Sequence, residues 1–215
     1  MNFDRINRYI EKLYEEESRL TKQKFVNQTS LKDFIPVVDD DVARFLKLII
    51  SLSKPAKILE IGTSIGYSTT SMAQAVKEYG GTITTVEFDK RVAEQAKENF
   101  KNAGVADVIE LKIGDAREIV PNLEGPYDLI FQDVDKQLYP YLFKDCVRLL
   151  KSGGILMAED TLFPVLDLEE KWHNLIEPIR QFNQLVVDCP ELESSLLPIG
   201  DGVIIALKKQ KRQAH

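Results

Sequence analysis

Glu60-Ile61-Gly62-Thr63-Ser64-Ile65-Gly66-Tyr67-Ser68 decides the fold. The segment joins an apolar run, Lys57 to Ile61, to a stretch from Gly66 to Tyr79 that carries Met72, Ala73 and Val76 on one helical face. The chain therefore passes from strand to helix through a glycine-bearing turn. Glycine lets a backbone turn tightly and approach a neighbour or ligand where a Cβ would clash. The spacing is Gly-x-x-x-Gly, whereas dinucleotide sites use Gly-x-Gly-x-x-Gly to seat a pyrophosphate, which argues against a nicotinamide cofactor.

The same strand-helix unit recurs downstream. Thr82 to Glu87, Val108 to Ile113, Tyr127 to Gln132 and Gly154 to Glu159 read as further strands, short and rich in Ile, Leu and Val. Lys90 to Ala103, with Val92, Ala96 and Phe100, and Leu138 to Leu150, with Leu142, Cys146, Leu149 and Leu150, read as helices. Repeated strand-helix units predict an α/β fold, a Rossmann-like doubly wound sheet whose strands are buried on both faces. The rhythm then changes: a long helix from about Leu168 to Val187 precedes Glu193 to Ile199, Gly200-Asp201-Gly202 and Val203 to Lys208. A Gly-Asp-Gly turn between apolar runs is a hairpin signal, so a mostly parallel seven-stranded sheet ending in an antiparallel pair is expected. Two helical segments, about Asn2 to Lys24 and Asp40 to Leu52, come before the first strand. With no repeat and no low-complexity linker, residues 1–215 read as one domain, helices over 1–53 and a core over 57–208, the helices acting as a lid or an oligomer contact.

Composition excludes several function classes. At 215 residues and 44% hydrophobic, the chain can bury a substantial core. No apolar run approaches the roughly 20 residues that cross a bilayer, and Met1-Asn2-Phe3-Asp4-Arg5 does not open a signal sequence. A cytoplasmic protein without a membrane partner is the expectation. Cys146 and Cys189 stand apart, without a CxxC or Cys/His cluster, and read as buried small hydrophobes. The only histidines, His173 and His215, leave little room for Ser-His-Asp or His-rich metal chemistry, so carboxylates and lysine must carry any reaction. A net charge of −6 and a pI near 5.1 oppose broad attraction to nucleic acid. The basic cluster Lys208-Lys209-Gln210-Lys211-Arg212 reads as a solvated tail.

Glu87 ends the second strand about 20 residues beyond the glycine turn, where a carboxylate can accept both hydroxyls of a ribose. An adenosine-containing ligand without a pyrophosphate fits. Asp115-Ala116, after the third strand, is placed to contact an adenine, although Asp115 also reads as the N-cap of the next helix. Phe131-Gln132-Asp133-Val134-Asp135-Lys136 and Ala158-Glu159-Asp160-Thr161 close the next two strands. If these strands are parallel neighbours, Asp133 and Asp160 emerge side by side with Lys136 one short turn away, two hard oxygen ligands and a proton acceptor in one crevice. Strand alternation places Glu159 away from Asp160.

Taken in order, these motifs resemble the class I S-adenosylmethionine-dependent methyltransferases, and within them the cation-dependent O-methyltransferases typified by catechol and caffeoyl-coenzyme A O-methyltransferases. The resemblance runs from about Pro36 to Lys208 and includes Leu197-Pro198-Ile199-Gly200-Asp201-Gly202. It implies that Glu60 and Gly62 line the methionine part of the cofactor, with Gly66 in the same turn, and that Thr63 and Ser68 contact its polar groups. Glu87 would hold the ribose, Asp115 and Ala116 would flank the adenine, and Val38 would offer a backbone contact. Asp133 and Asp135 complete the implied cofactor set. Asp133, Asp160 and Thr161 would hold Mg²⁺, or Ca²⁺ or Mn²⁺, and Lys136 would be the catalytic base.

One position departs from the pattern, because the family usually has Asn where this chain has Thr161, a shorter and weaker ligand. The implied activity is methyl transfer to a hydroxyl of a small vicinal dihydroxy aromatic, by a homodimer. Leu162, Phe163, Pro164 and Trp172 are candidates to wall the acceptor, and the usual glycine-bearing insertion loop is missing there. The competing reading is methylation of a hydroxylated wobble uridine in tRNA, which the acidic charge opposes and the basic tail leaves open. A catalytically weak binding protein is the remaining one, motivated only by Thr161.

Overall fold

A computed structural model describes residues 3–14 and 20–210. Seven strands form one sheet in the order β3-β2-β1-β4-β5-β7-β6, with β1 at Lys57–Ile61, β2 at Thr82–Glu87, β3 at Ile109–Ile113, β4 at Tyr127–Gln132, β5 at Leu150–Ala158, β6 at Leu192–Leu197 and β7 at Val203–Lys208. The first five are parallel to one another. β7 lies between β5 and β6, antiparallel to both, so the expected hairpin is built into the sheet.

Helices α3 (Asp40–Ser53), α4 (Tyr67–Lys77) and α5 (Lys90–Asn102) cover one face, and α6 (Ala116–Ile119), α7 (Tyr139–Leu149) and α8 (Ile176–Asp188) cover the other. Side-chain alternation divides the strands between two cores: Ile58, Leu129 and Phe131 pack with Leu46, Met72 and Phe100, while Leu59, Ile61 and Ile130 pack with Leu142, Cys146 and Phe182. Cys146 is buried as expected, whereas Cys189, just past the end of α8, is only partly so.

Three segments differ from the sequence reading. The amino-terminal helix is broken into α1 (Phe3–Leu13) and α2 (Lys22–Gln28), because Thr21 takes an extended conformation and its hydroxyl caps α2 through the Lys24 amide. The long helix before the hairpin is α-helical only from Ile176; Glu170–Leu175 is a 3₁₀ segment. Pro178 then falls in the first turn of α8, where its missing N–H leaves no intrahelical bond unmade. Lys208 is no part of a solvated tail: its ammonium donates to the carbonyls of Val147 (2.6 Å) and Leu150 (2.9 Å) at the end of α7. Lys211 and Arg212 lie outside the described residues.

The registers place the site. Ile61 stands opposite Gln132, and Gln132 opposite Ala158, so the segments leaving β1, β4 and β5 start at one level of the carboxyl edge.

Candidate active site at the carboxyl edge of the sheet

Strand order reverses between β1 and β4, which opens the crevice used by ligands in doubly wound sheets. The glycines of the β1–α4 turn are demanded by the protein itself. A Cβ on Gly62 would stand 1.9 Å from the carbonyl oxygen of Asp133, and one on Gly66 would stand 2.4 Å from the Phe100 ring. Both also have positive φ, +101° and +87°.

Under this turn, Glu60 is fully buried and accepts hydrogen bonds from Ser68 Oγ (2.6 Å), Thr85 Oγ1 (2.6 Å) and Thr69 Oγ1. Burial pushes its carboxyl up to about 7, against the three hydroxyls that lower it. Thr63 Oγ1 lies 2.6 Å from Thr85 Oγ1 in the same network. Of the residues expected against the methionine part, Ser68 thus bonds Glu60 directly and Thr63 joins it through Thr85, which pins the turn to β1 and β2. Glu87 closes over the turn, accepting from the amides of Ser64 (2.8 Å) and Asp89 (2.9 Å), and burial raises its pKa. Ser64 Oγ donates to the Ile35 carbonyl (2.8 Å), which brings the segment bearing the buried Val38 onto the turn. Asp115 is the N-cap of α6: it accepts from the Arg117 amide (2.8 Å) and its guanidinium (2.5 Å to Nη2), with Ala116 buried behind it.

The second half of the site is charged. Lys136, 9% exposed, sits in a 3₁₀ turn N-capped by Asp135, over the ring of Tyr139 at 5.2 Å. Its ammonium lies 2.6 Å from Asp133 Oδ1 and 2.8 Å from Asp160 Oδ2. Burial acts to lower the lysine, but Asp133, with Tyr139, Asp160 and Glu159, outweighs it and holds the group well above its ordinary range. Burial and the Asp133 charge together raise Asp160 to about 6, against the pull of Lys136.

Glu159 overturns the alternation argument. Its carboxylate joins those of Asp133 and Asp160, one oxygen of each lying within 4.8 Å of the others. The reason is local: β5 ends at Ala158, and Asp160 takes a left-handed φ of +60°, which breaks the two-residue alternation. Burial, then Asp133 and Asp160, raises Glu159 well above the usual carboxylate range.

Thr161 lies in the adjoining backbone, clamped by the turn between β6 and β7. Its amide donates to the Gly202 carbonyl (3.1 Å), and its carbonyl accepts from Asn183 Nδ2 (2.7 Å). Its hydroxyl is buried without a partner among the described residues, as is Asn183 Oδ1. Gly200 N donates to Asp41 Oδ2 (3.0 Å), tying that turn to the start of α3.

The structure therefore brings Asp133, Lys136 and Asp160 together, keeps Val38, Gly62, Thr63, Gly66, Ser68 and Glu87 around the neighbouring turn, and leaves Asp115 and Asp135 as helix caps. Sequence reasoning missed Tyr139, whose hydroxyl reaches the carbonyls of Gln132 (3.0 Å) and Glu159 (3.1 Å) and so holds the exits of β4 and β5 together. Its position one helical turn beyond Lys136 was the available signal.

A family model described as O-methyltransferase matches residues 9–209. The chain belongs to the O-methyltransferase family. The enzyme activity that follows is S-adenosylmethionine-dependent O-methyl transfer. This O-methyltransferase is 30% identical over 220 residues to a catechol O-methyltransferase of Niastella koreensis, covering 96% of this chain and 98% of the relative. It is 32% identical over 177 residues to a caffeoyl-CoA O-methyltransferase of Populus kitakamiensis, covering 77% and 75%. Among solved structures it is similar to a Podospora anserina methyltransferase with S-adenosylhomocysteine bound, with a TM-score of 0.79 or better shared by a Klebsiella pneumoniae O-methyltransferase: 0.85 for the former at 25% identity, covering 97% and 95%, and 0.79 for the latter at 25%, covering 95% and 96%.

Proposed function

We propose that this O-methyltransferase transfers a methyl group from S-adenosylmethionine to one hydroxyl of a small vicinal dihydroxy aromatic, a catechol or caffeoyl-type compound, with a divalent cation at the charged cluster. The observation that carries this reading is the cluster itself: the buried carboxylate of Glu159 and the partly buried ones of Asp133 and Asp160 beside the Lys136 ammonium, next to the glycine turn that would seat the cofactor. Hard oxygen donors of this kind suit Mg²⁺, Ca²⁺ or Mn²⁺. Asp133 and Asp160 would hold the ion, with a third oxygen from the 159–161 segment.

When bound, such a cation supplies Lewis-acid polarisation of two adjacent hydroxyls and offsets the carboxylate charge that keeps Lys136 protonated. The protein's own part is positioning and proton transfer. The β1–α4 turn, with Glu87 and the Val38 segment, would seat the cofactor, whose sulfonium is already a good leaving group. Phe163 follows directly, its amide donating to the Asp160 carbonyl (3.3 Å), and with the half-exposed Trp172 it is a candidate wall for the acceptor ring. Lys136, once neutral, would take the proton from the hydroxyl that attacks the methyl carbon, since its ammonium position is set within the cluster.

The full chain would act as one methyltransferase domain, in the cytoplasm, as a homodimer. Apolar residues left exposed on α1, Ile6, Tyr9 and Leu13, support the dimer. No helix among the described residues is long and apolar enough to cross a membrane. Methylation of tRNA draws less support, because part of the basic cluster is used inside the fold. The test is methyl transfer to catechols and to undermodified tRNA, each with and without chelator. Chelator-sensitive methylation of a catechol is expected, with cofactor binding retained; full activity in chelator, or transfer to tRNA alone, overturns the reading.

A further inference from the structure

We propose that Glu159, rather than Thr161, supplies the third strong ligand to the cation at the charged cluster. The inference rests on the cation reading above and concerns which residues of this chain serve it. Three observations lead there.

Glu159 is 6% exposed, and its carboxylate makes no hydrogen bond or close ion pair among the described residues, the Lys136 ammonium acting on it only from beyond contact distance. Asp133 and Asp160 share the Lys136 ammonium between them; Glu159 does not. A buried carboxylate without a donor is costly unless something positive meets it, and here it faces the group of carboxylate oxygens that lie within 4.8 Å of one another.

The charge balance points the same way. If all three gave up their protons to bind a hard cation, the three carboxylates against one ammonium would leave an excess of two negative charges, which one divalent cation cancels. The left-handed Asp160, at φ +60°, is the device that turns Glu159 inward, a conformation that non-glycine residues rarely hold without reason.

Thr161 is less well suited. Its hydroxyl is buried without a partner among the described residues and offers at most one neutral oxygen, while its carbonyl is already bonded to Asn183 Nδ2 and its backbone is tied to the turn between β6 and β7. An uncharged hydroxyl also adds nothing to the neutralisation of a dication. Where the resembled family usually has an Asn after this aspartate the chain has Thr161, and the residue before it is Glu159, in the same cluster.

The test is Mn²⁺ binding to the purified full chain without acceptor, followed by the resonance of free Mn²⁺ and by calorimetry. Glu159→Gln should weaken Mn²⁺ by at least about tenfold, because ligand charge sets the affinity of hard-cation sites. Thr161→Val should change it by less than about threefold, the scale of losing one neutral ligand. Glu159→Asp keeps the charge but withdraws it by one methylene and should fall between the two, which preserves the test should the Gln variant fail to fold. Unchanged Mn²⁺ affinity in Glu159→Gln, or a larger loss in Thr161→Val, overturns the assignment while leaving a cation site in place. Absence of Mn²⁺ binding to the unaltered chain overturns the cation reading and this assignment with it.

Discussion

The Lys136 ammonium and the Asp133 carboxylate lie 2.6 Å apart, three residues from each other in sequence, at the exit of β4. One short turn thus delivers both the anion of the cluster and its buried counter-charge. Lys136→Ala should lower turnover by roughly 10² to 10⁴, the range for loss of a general base, with cofactor affinity much less affected. Steady-state rates at saturating S-adenosylmethionine, paired with calorimetry of cofactor binding, separate the two effects. A variant that turns over at the original rate would exclude Lys136 as the base.

Gly62 and Asp133 impose a packing limit that is independent of any ligand. A Cβ at Gly62 would stand 1.9 Å from the Asp133 carbonyl oxygen, and the φ of +101° is itself unfavourable for alanine. Gly62→Ala should cost about 2 to 4 kcal/mol of stability, from backbone strain and from forcing apart two strand exits. Urea unfolding without cofactor reads this directly. A loss below about 0.5 kcal/mol, the scale of a neutral surface substitution, would show that the approach is not a constraint.

Glu87 is expected to exchange part of its contact with the turn amides for a ribose. Glu87→Ala should weaken S-adenosylmethionine binding by roughly 1.5 to 3 kcal/mol, the scale of hydrogen bonds to a charged acceptor. Titration calorimetry giving unchanged affinity would remove the residue from the cofactor site.

Glu60 makes stability depend on pH. Its folded pKa of about 7 lies above the ordinary 4.5, so the unfolded chain gives up this proton first. The contribution is complete below pH 4.5, declines as pH rises, and is gone above about 7. A shift of this size corresponds to roughly 3 kcal/mol. Relative to Glu60→Gln, the unaltered protein should lose about that much stability between pH 4.5 and 8, other groups cancelling in the difference. Parallel pH-stability curves for the two proteins would contradict the buried, protonatable state.

Local pattern made much of this protein legible in advance. The strands from Lys57 to Gln132 and the helices after them follow from apolar periodicity and from turn residues, which report which positions face a core. The glycine turn, Glu87, and the pair Asp133 and Asp160 were readable for the same reason: a parallel sheet sends successive strand ends to one edge. Where the fold departs from that reading, the cause is non-local or lies in a single dihedral. Glu159 points into the cluster because Asp160 is left-handed, and no two-residue pattern encodes that rotation. Gly62 is required by the backbone of a strand about 70 residues away along the chain, an approach that only the assembled sheet creates. Glu60 and Ser68 satisfy each other because burial leaves a carboxylate to find donors within the protein, and which donors are near is settled by packing rather than by spacing.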